Sequence, residues 1–529
     1  MPTLLMLSAG LLALTACEPG VYDDEGLAAS STWGDDEDFE SEPLTAEDMN
    51  LVWDDPGFMP DVDRWAPDGT PIKVPLGTSV GFNSARATWQ GESANDSVGI
   101  SVAAVGDMNG DGRGEVGIAS QYGSGSGSGD GAVYMNKSRF QAGNKRIDTA
   151  KGRWYGETGS ALENVAGRRY MSSMNSTTEG DLNGTTGDEM LAGARSWDNP
   201  TDTWKVNSGA AYVITWADRG SNALPSGGTR IDGIKANDFA GAGLDIVGDI
   251  NGDGNVDVAI GATGADDGGS ESGAIYLIYG PITAATDLST ADAVIAGESA
   301  GDAAGNRIRG IGDFDGDGAD DFAVGVRGRD HAGNTDSGSV YIIYGDGAFP
   351  SDLNSADVIL RGQTGSSQAG NQVAEVGDIN GDGYDDMIAG ALGQGGLGAA
   401  YLILGNNAST GNIAGQAETT FTGQVNGDQF GAGLAAGDVN RDGDMDIIVS
   451  ANRQSSNDKG AVYVYLNPGA GVITANDADS KLVGQASDDR FGAWIDVVEQ
   501  EDTTFRDVLV VGASRRASND KGTAYIFEF

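Results

Sequence analysis

Apolar residues along this chain gather in short runs such as Ala274–Tyr279 and Ala399–Leu404, separated by stretches rich in glycine and acids. Runs of this length, continuous instead of alternating, predict strands buried on both faces. A signature unites them: Gly-x-x-Tyr occurs seven times, at Gly131/Tyr134, Gly209/Tyr212, Gly273/Tyr276, Gly338/Tyr341, Gly398/Tyr401, Gly460/Tyr463 and Gly522/Tyr525. The spacing of about 60 to 75 residues is longer than that of helical repeats and suits four-stranded blades with long loops.

A further strand, ending in Gly-Glu or Gly-Gln, precedes most repeats: Ala293–Glu298, Val358–Gln363, Thr420–Gln424 and Lys481–Gln485. Each is expected to be the outer strand of the blade before it. The earliest copy, Ala87–Glu92, has no blade before it, and the chain stops at Phe529 after the third strand of the last repeat. The N-terminal strand is therefore expected to complete the last blade, leaving no unpaired radial edge.

Between apolar runs lie acidic turns of the form Asp-x-Asn/Asp-x-Asp-Gly-x-x-Asp/Glu. Calcium takes six to eight oxygens at about 2.3 to 2.6 Å, and a tight turn carrying oxygen side chains at alternate positions converges them on one point. Positions one, three and five supply side chains, position seven a backbone carbonyl, and position nine a carboxylate at the start of the next strand. Glycine at position six permits the sharp turn. The expected ligands, in chain order, are Asp107, Asn109, Asp111, Arg113 and Glu115; Asp249, Asn251, Asp253, Asn255 and Asp257; Asp313, Asp315, Asp317, Ala319 and Asp321; Asp378, Asn380, Asp382, Tyr384 and Asp386; and Asp438, Asn440, Asp442, Asp444 and Asp446. One such turn is often only a solvated Asx-rich bend. Five in register predict about five calcium ions, held best by the third of these, the most acidic.

Two repeats depart from the pattern. The second, starting at Asp181, carries Thr185 and Thr186 where the central Asp and its Gly belong, which puts metal there in doubt; the seventh offers Gln500, Asp502, Thr504 and Val508 and is expected to be metal-free.

Phe430-Gly431 and Phe491-Gly492, with Gly-Ala segments such as Gly261-Ala262 and Gly512-Ala513 and acidic turns between, resemble the FG-GAP repeats of the integrin alpha-chain propeller. Other repeats replace the Phe, as in Ala240-Gly241, Ala304-Gly305 and Ala369-Gly370. The resemblance covers about residues 80 to 529 and implies an all-β fold, a seven-bladed β-propeller with calcium-binding loops on one face. It does not by itself carry adhesion across.

Composition agrees with one large β domain: 85 of 529 residues are glycine, about twice the usual share, as many tight turns require. The net charge of -48 argues against nucleic acid or anionic lipid as a partner through a basic patch. Carboxylates crowded in the turns repel without a cation, so folding and calcium binding are expected to be coupled, in a calcium-replete extracytoplasmic setting.

Residues 4–16 form an apolar run ending Leu14-Thr15-Ala16-Cys17, too short to span a bilayer. It resembles a bacterial lipobox, whose Cys is lipidated, although Met1-Pro2-Thr3 lacks the usual basic residue. Cys17 is the one cysteine of the chain, and Glu18 after it implies the outer membrane. Residues 18–63 hold sixteen Asp or Glu and no Lys or Arg, a composition that stays extended as a tether. The expected organisation is a signal segment over 1–17, an acidic tether over 18–75 and the propeller over 76–529, with the Cys17 lipid as the membrane attachment.

His331 is the one histidine, so neither a histidine-based triad nor a multi-histidine zinc site can be built. The calcium-loop phospholipase family also carries FG-GAP repeats but places catalysis in a separate domain. The expectation is a binding or adhesion module with no catalytic residues, taking a protein or glycan on the face opposite the calcium loops through segments 122–130, 195–207 and 264–272. A structural lipoprotein without a ligand, or a calcium-dependent hydrolase, are the alternatives. Trp197 and Trp204 either anchor that ligand or pack their own loop.

Overall fold

The computed structural model describes residues 79–529, apart from 82–84, 94, 111–112, 124–130, 137–142, 158–161, 163, 167–179, 185–186, 200–201, 203, 217–220, 225–227, 455–457, 499–506 and 516–520. The described residues all fall within one compact unit, Lys73–Phe529.

The third repeat shows how a blade is made. Ala240–Gly248, Asp257–Ala262, Ala274–Ile278 and Ala293–Ala296 pair antiparallel in that order. The first three strands are buried along their whole length, as their uninterrupted apolar sequence requires. Seven such sheets form a seven-bladed β-propeller. Their innermost strands are Val98–Ala104, Asn164–Ala166, Ala240–Gly248, Arg307–Gly312, Ala369–Gly377, Phe430–Gly437 and Trp494–Val498. Each contacts the next, and the last contacts the first. Ala87–Gln90 lies antiparallel to the C-terminal strand Thr523–Glu528, with Ala87 opposite Ile526.

The paired signatures meet between blades. A Cβ on Gly261, in the second strand of blade three, would lie 1.8 Å from the carbonyl oxygen of Gly305 in the Ala-Gly pair of blade four. The two backbones approach so closely that neither position tolerates a side chain. The Gly-x-x-Tyr glycine takes part as well, since Gly273 bridges to Ala304 next door. In blade six the Phe of the pair packs on its own Tyr, with Phe430 and Tyr463 ring centroids 5.5 Å apart.

One feature was absent from the expected four-stranded blade. The segment leading into the fourth strand of each blade, which in blades one to six is the connection from the third strand, lays a short parallel stretch along the outer edge of the preceding blade. Thr286–Asp287 pairs with Thr229–Asp232, Gly411–Asn412 with Val358–Arg361, Gly471–Thr474 with Thr419–Thr422, and Ser79–Gly81 with Ser480–Val483. Gly143–Arg146 does the same for Ala87–Gln90, and Ser221–Ala223 for Gly152–Tyr155. In blade three a single bridge, Ala296 to Asp352, takes its place. The outermost edges are thereby occupied, which removes the hazard of open edge strands.

Candidate metal loops and the opposite face

Antiparallel order fixes two faces. The acidic turns join first and second strands and share one face with the third-to-fourth connections. The opposite face carries the second-to-third loops and the crossings between blades.

In the turns starting at Asp249, Asp313, Asp378 and Asp438 the first-position carboxylate folds the loop around itself. Asp249 accepts from the N–H of Asp253 at 3.0 Å and Gly254 at 2.7 Å; Asp313 from Gly316 at 2.7 Å and Gly318 at 3.0 Å. Asp378 and Asp438 accept in the same way, from Gly383 at 2.8 Å and Gly443 at 2.9 Å. The sixth-position glycines, Gly254, Gly318, Gly383 and Gly443, sit at φ +89, +97, +92 and +91, where a side chain strains the backbone.

The ninth-position acids are fully buried, Asp257, Asp321, Asp386 and Asp446 as the first residues of their strands and Glu115 just before its own. Each described Asp of this set clamps two backbones. Asp321 accepts from Phe314 N–H at 2.8 Å with one oxygen and from Gly345 N–H at 2.7 Å with the other. Asp257 binds Ile250 and Gly280, Asp386 binds Ile379 and Gly405, and Asp446 binds Val439 and Asn467. Burial pushes the carboxyls of Asp257, Asp386 and Asp446 up to about 7 and that of Asp321 to about 8, against the hydrogen bonds that lower them. Glu189 in the irregular second loop keeps the turn-side half of this clamp, accepting from Leu182 N–H at 2.8 Å, and burial raises it to about 8. The ninth acid thus holds the turn together even where other ligand positions have been replaced.

Does a cation fit? Asp313, Asp315 and Asp317 each offer a carboxylate oxygen, all within 4.8 Å of one another, a spacing suited to one hard ion with oxygen ligands. In the blade-six loop the third-position Oδ1 of Asn440 is buried without a hydrogen-bond partner, as an oxygen reserved for a metal would be. Asn251 and Asn380 hold the same position in their loops. The seventh-position residues Asn255, Ala319, Tyr384 and Asp444 follow at the turn ends, each donating its N–H to the fifth-position carboxylate. In the first loop Asn109 donates to Glu115 and Arg113 is half-buried, while Asp111 lies outside the described residues. So do Gln500, Asp502 and Thr504 of the seventh loop, whose Val508 is buried. The donor set fits calcium.

The sequence reading passed over the eighth position. Asp188, Asp320 and Asp385 do not turn to their own loops: each accepts, through Oδ2, the N–H of the first-position Asp in the preceding blade. The distances are 2.5 Å to Asp107, 2.8 Å to Asp249 and 2.9 Å to Asp313. Three acids at equivalent positions of different repeats were the available signal.

On the opposite face the expected binding segments behave differently from one another. Trp204 is 86% exposed, with Val206 at 47% beside it, whereas Trp197 is 1% exposed and lies in the core under the Arg230 guanidinium, 4.5 Å from its ring. The two tryptophans therefore do not act alike, since only Trp204 is on the surface. Tyr122 is 46% exposed, and 124–130 lie outside the described residues. The Gly-Glu signature also gains a cause here: Glu298 accepts from the Tyr341 hydroxyl at 2.7 Å and pairs with Arg329, locking the crossing to the next blade. His331 sits in a tight turn, exchanging backbone hydrogen bonds with Asn334.

Residues 241–278, 310–343 and 430–465 match the FG-GAP repeat. Over 200 residues, 34% of this chain, the sequence is 31% identical to a phosphatidylinositol-glycan-specific phospholipase D of Rattus norvegicus, covering 23% of that protein. The human protein of the same name is 33% identical over 26% of this chain and 17% of its own length. Integrin alpha-PS5 of Drosophila melanogaster is 29% identical over 29% of this chain and 15% of its own. The matches span less than a quarter of these relatives.

Proposed function

Since this chain carries FG-GAP repeats in an integrin-like seven-bladed propeller, we propose that it is a calcium-stabilised extracytoplasmic binding module, holding calcium on one face and a protein or glycan on the other. Calcium at the acidic turns neutralises the carboxylates that first, third and fifth positions bring together, and the chain's own residues supply the rest. First-position acids curl the turn, and ninth-position acids pin it to the end of the third strand. The metal face is thus committed to scaffold.

Trp204 carries the binding reading. A large aromatic side chain left in solvent on a loop of the far face is the usual anchor of an interface. We read the chain as non-catalytic, since His331 is tied into a turn and the acids of the metal face are engaged by backbone. Cys17, outside the described residues, would attach the chain to the outer membrane through a lipid, with residues 18–75 as tether; among the described residues no helix is long and apolar enough to cross a membrane.

The test is a glycan array and a pull-down from surface extracts with the chain and its Trp204→Ala variant in millimolar calcium. The reading expects a ligand retained by the first and lost by the second. Equal retention by both moves the contact elsewhere, and hydrolysis of a phospholipid by the pure protein, abolished with an acid of the turns, would favour an enzyme.

A further inference from the structure

Arg307 opens the innermost strand of blade four, Arg307–Gly312, at the end that meets the face opposite the acidic turns. Its side chain reaches across the mouth of the central channel toward blade seven. Nε donates to the carbonyl of Asn371 at 2.9 Å, and Nη1 to the carbonyl of Asn306 at 2.9 Å and to its Oδ1 at 3.3 Å. Cζ stands 4.9 Å from the centroid of the Trp494 ring. Every one of these partners is neutral.

In a chain of net charge -48, a half-buried guanidinium without a carboxylate is unexpected, because an unpaired charge is costly to bury. Among the described residues no acid forms an ion pair with Arg307. Asp245 on the channel wall is committed to Arg309 at 3.3 Å and to the Gly310 N–H at 2.9 Å, and Asp496 accepts from Ala104 N–H at 2.9 Å. Burial and the neighbouring Arg327 and Arg309 charges lower the Arg307 pKa to about 10, the direction expected of a cation that lacks a counter-charge. Beside it lies a cavity of about 30 Å³, lined also by Ser101, Gln372 and Trp494, enough for a small polar group where one water needs about 10 to 15 Å³.

We propose that the channel mouth is an oxyanion site, in which Nη2 of Arg307, the guanidinium nitrogen not engaged by Asn371 or Asn306, binds an oxygen of a carboxylate or phosphate group while the guanidinium face stays on Trp494. A charged N–H donor suits either group, and the aromatic face fixes the direction in which Nη2 is presented. This deepens the reading of that face as a binding surface and rests on it only for the source of the anion: the ligand would bring an acidic group to the channel while its apolar part meets the loops around it.

The probes are acetate and methyl phosphate, titrated calorimetrically into the full chain in millimolar calcium. Saturable binding of at least one is expected, weakened at least about tenfold in Arg307→Met, with the better probe identifying carboxylate or phosphate as the natural group. If Arg307→Met melts early, Trp494→Phe carries the test: the indole emission change on adding the anion should vanish in that variant. Absence of saturation by either probe in the wild type, or Arg307→Met and Trp494→Phe both behaving as wild type, overturns the site. A wild type that binds the probes but retains no protein or glycan in the pull-down sinks only the reading of the face as a macromolecular binding surface.

Discussion

Asp320 and Asp249, on neighbouring blades, exchange two hydrogen bonds: Asp249 N–H donates to Oδ2 of Asp320 at 2.8 Å, and Asp320 N–H donates to the carbonyl of Asp249 at 3.0 Å. The first-position acid of one acidic turn is thus held by the turn of the next blade. Asp385 and Asp313 repeat the arrangement, at 2.9 and 3.1 Å. Blades three, four and five therefore form a linked series of turns, whereas Met445 at the equivalent position of blade six cannot accept such a bond.

Removing the link should be felt in both stability and metal binding. Asp320→Ala strips the acceptor from the Asp249 N–H and should cost about 1 to 3 kcal/mol while weakening calcium at the blade-three turn, whose own ligands are intact. Gly248→Ala should act on the same contact, since a Cβ there would lie 2.0 Å from Oδ2 of Asp320 at φ +87. Chemical denaturation of the single and double variants checks this: the double should cost less than the sum, because without Asp320 part of the clash is gone. Strict additivity would show that the two positions act separately.

Glycines of the two signatures differ in what they protect. Gly261→Ala forces a methyl against the Gly305 carbonyl and should cost about 3 kcal/mol or prevent folding. Gly254→Ala meets no atom within 4 Å and strains only its own backbone, at about 1 to 2 kcal/mol. Thermal melts in calcium should rank them in that order, and the reverse order would contradict the inter-blade role of the Gly-Ala pair.

Asp317→Ala removes one of three carboxylates around a shared point, so it should lower the melting temperature in calcium more than in chelator, with Trp204→Ala unchanged in both. Partner binding should show the opposite dependence. A folded Asp317→Ala protein that loses its partner as completely as Trp204→Ala would place the acidic turns themselves at the contact.

Cys17→Ser should move the protein from the membrane fraction to the soluble one, because the lipid on Cys17 is the proposed attachment. Unchanged fractionation would refute the lipid anchor.

What could be read from the chain was local. Strand runs, the Gly-x-x-Tyr spacing and the ligand spacing within each turn are set by neighbours a few residues apart, so Asp257 and Asp321 could be placed at strand starts from sequence. The seven-bladed arrangement followed from counting repeats. Contacts about one repeat apart were not legible: Asp320 looks like a spare acid beside Asp321 until blade three is beside it. The fifth, parallel segment at Thr286–Asp287 is two residues long, too short for any periodicity. Trp197 and Trp204 share one loop and one residue type, and only the fold shows that the first turns inward under Arg230. Arg307 carries no motif, because its neighbours on the channel come from separate blades.

The most direct measurement is calcium counted per folded chain after equilibration in millimolar calcium, read together with the melting temperature before and after chelation. Weak sites, with dissociation constants on the order of 10⁻⁴ to 10⁻³ M as in extracellular modules, should fill to about five ions, with the Asp181 turn as the sole plausible sixth, and chelation should lower the melting temperature. Two ions or fewer, or a melting temperature indifferent to chelator, would contradict a calcium-stabilised propeller.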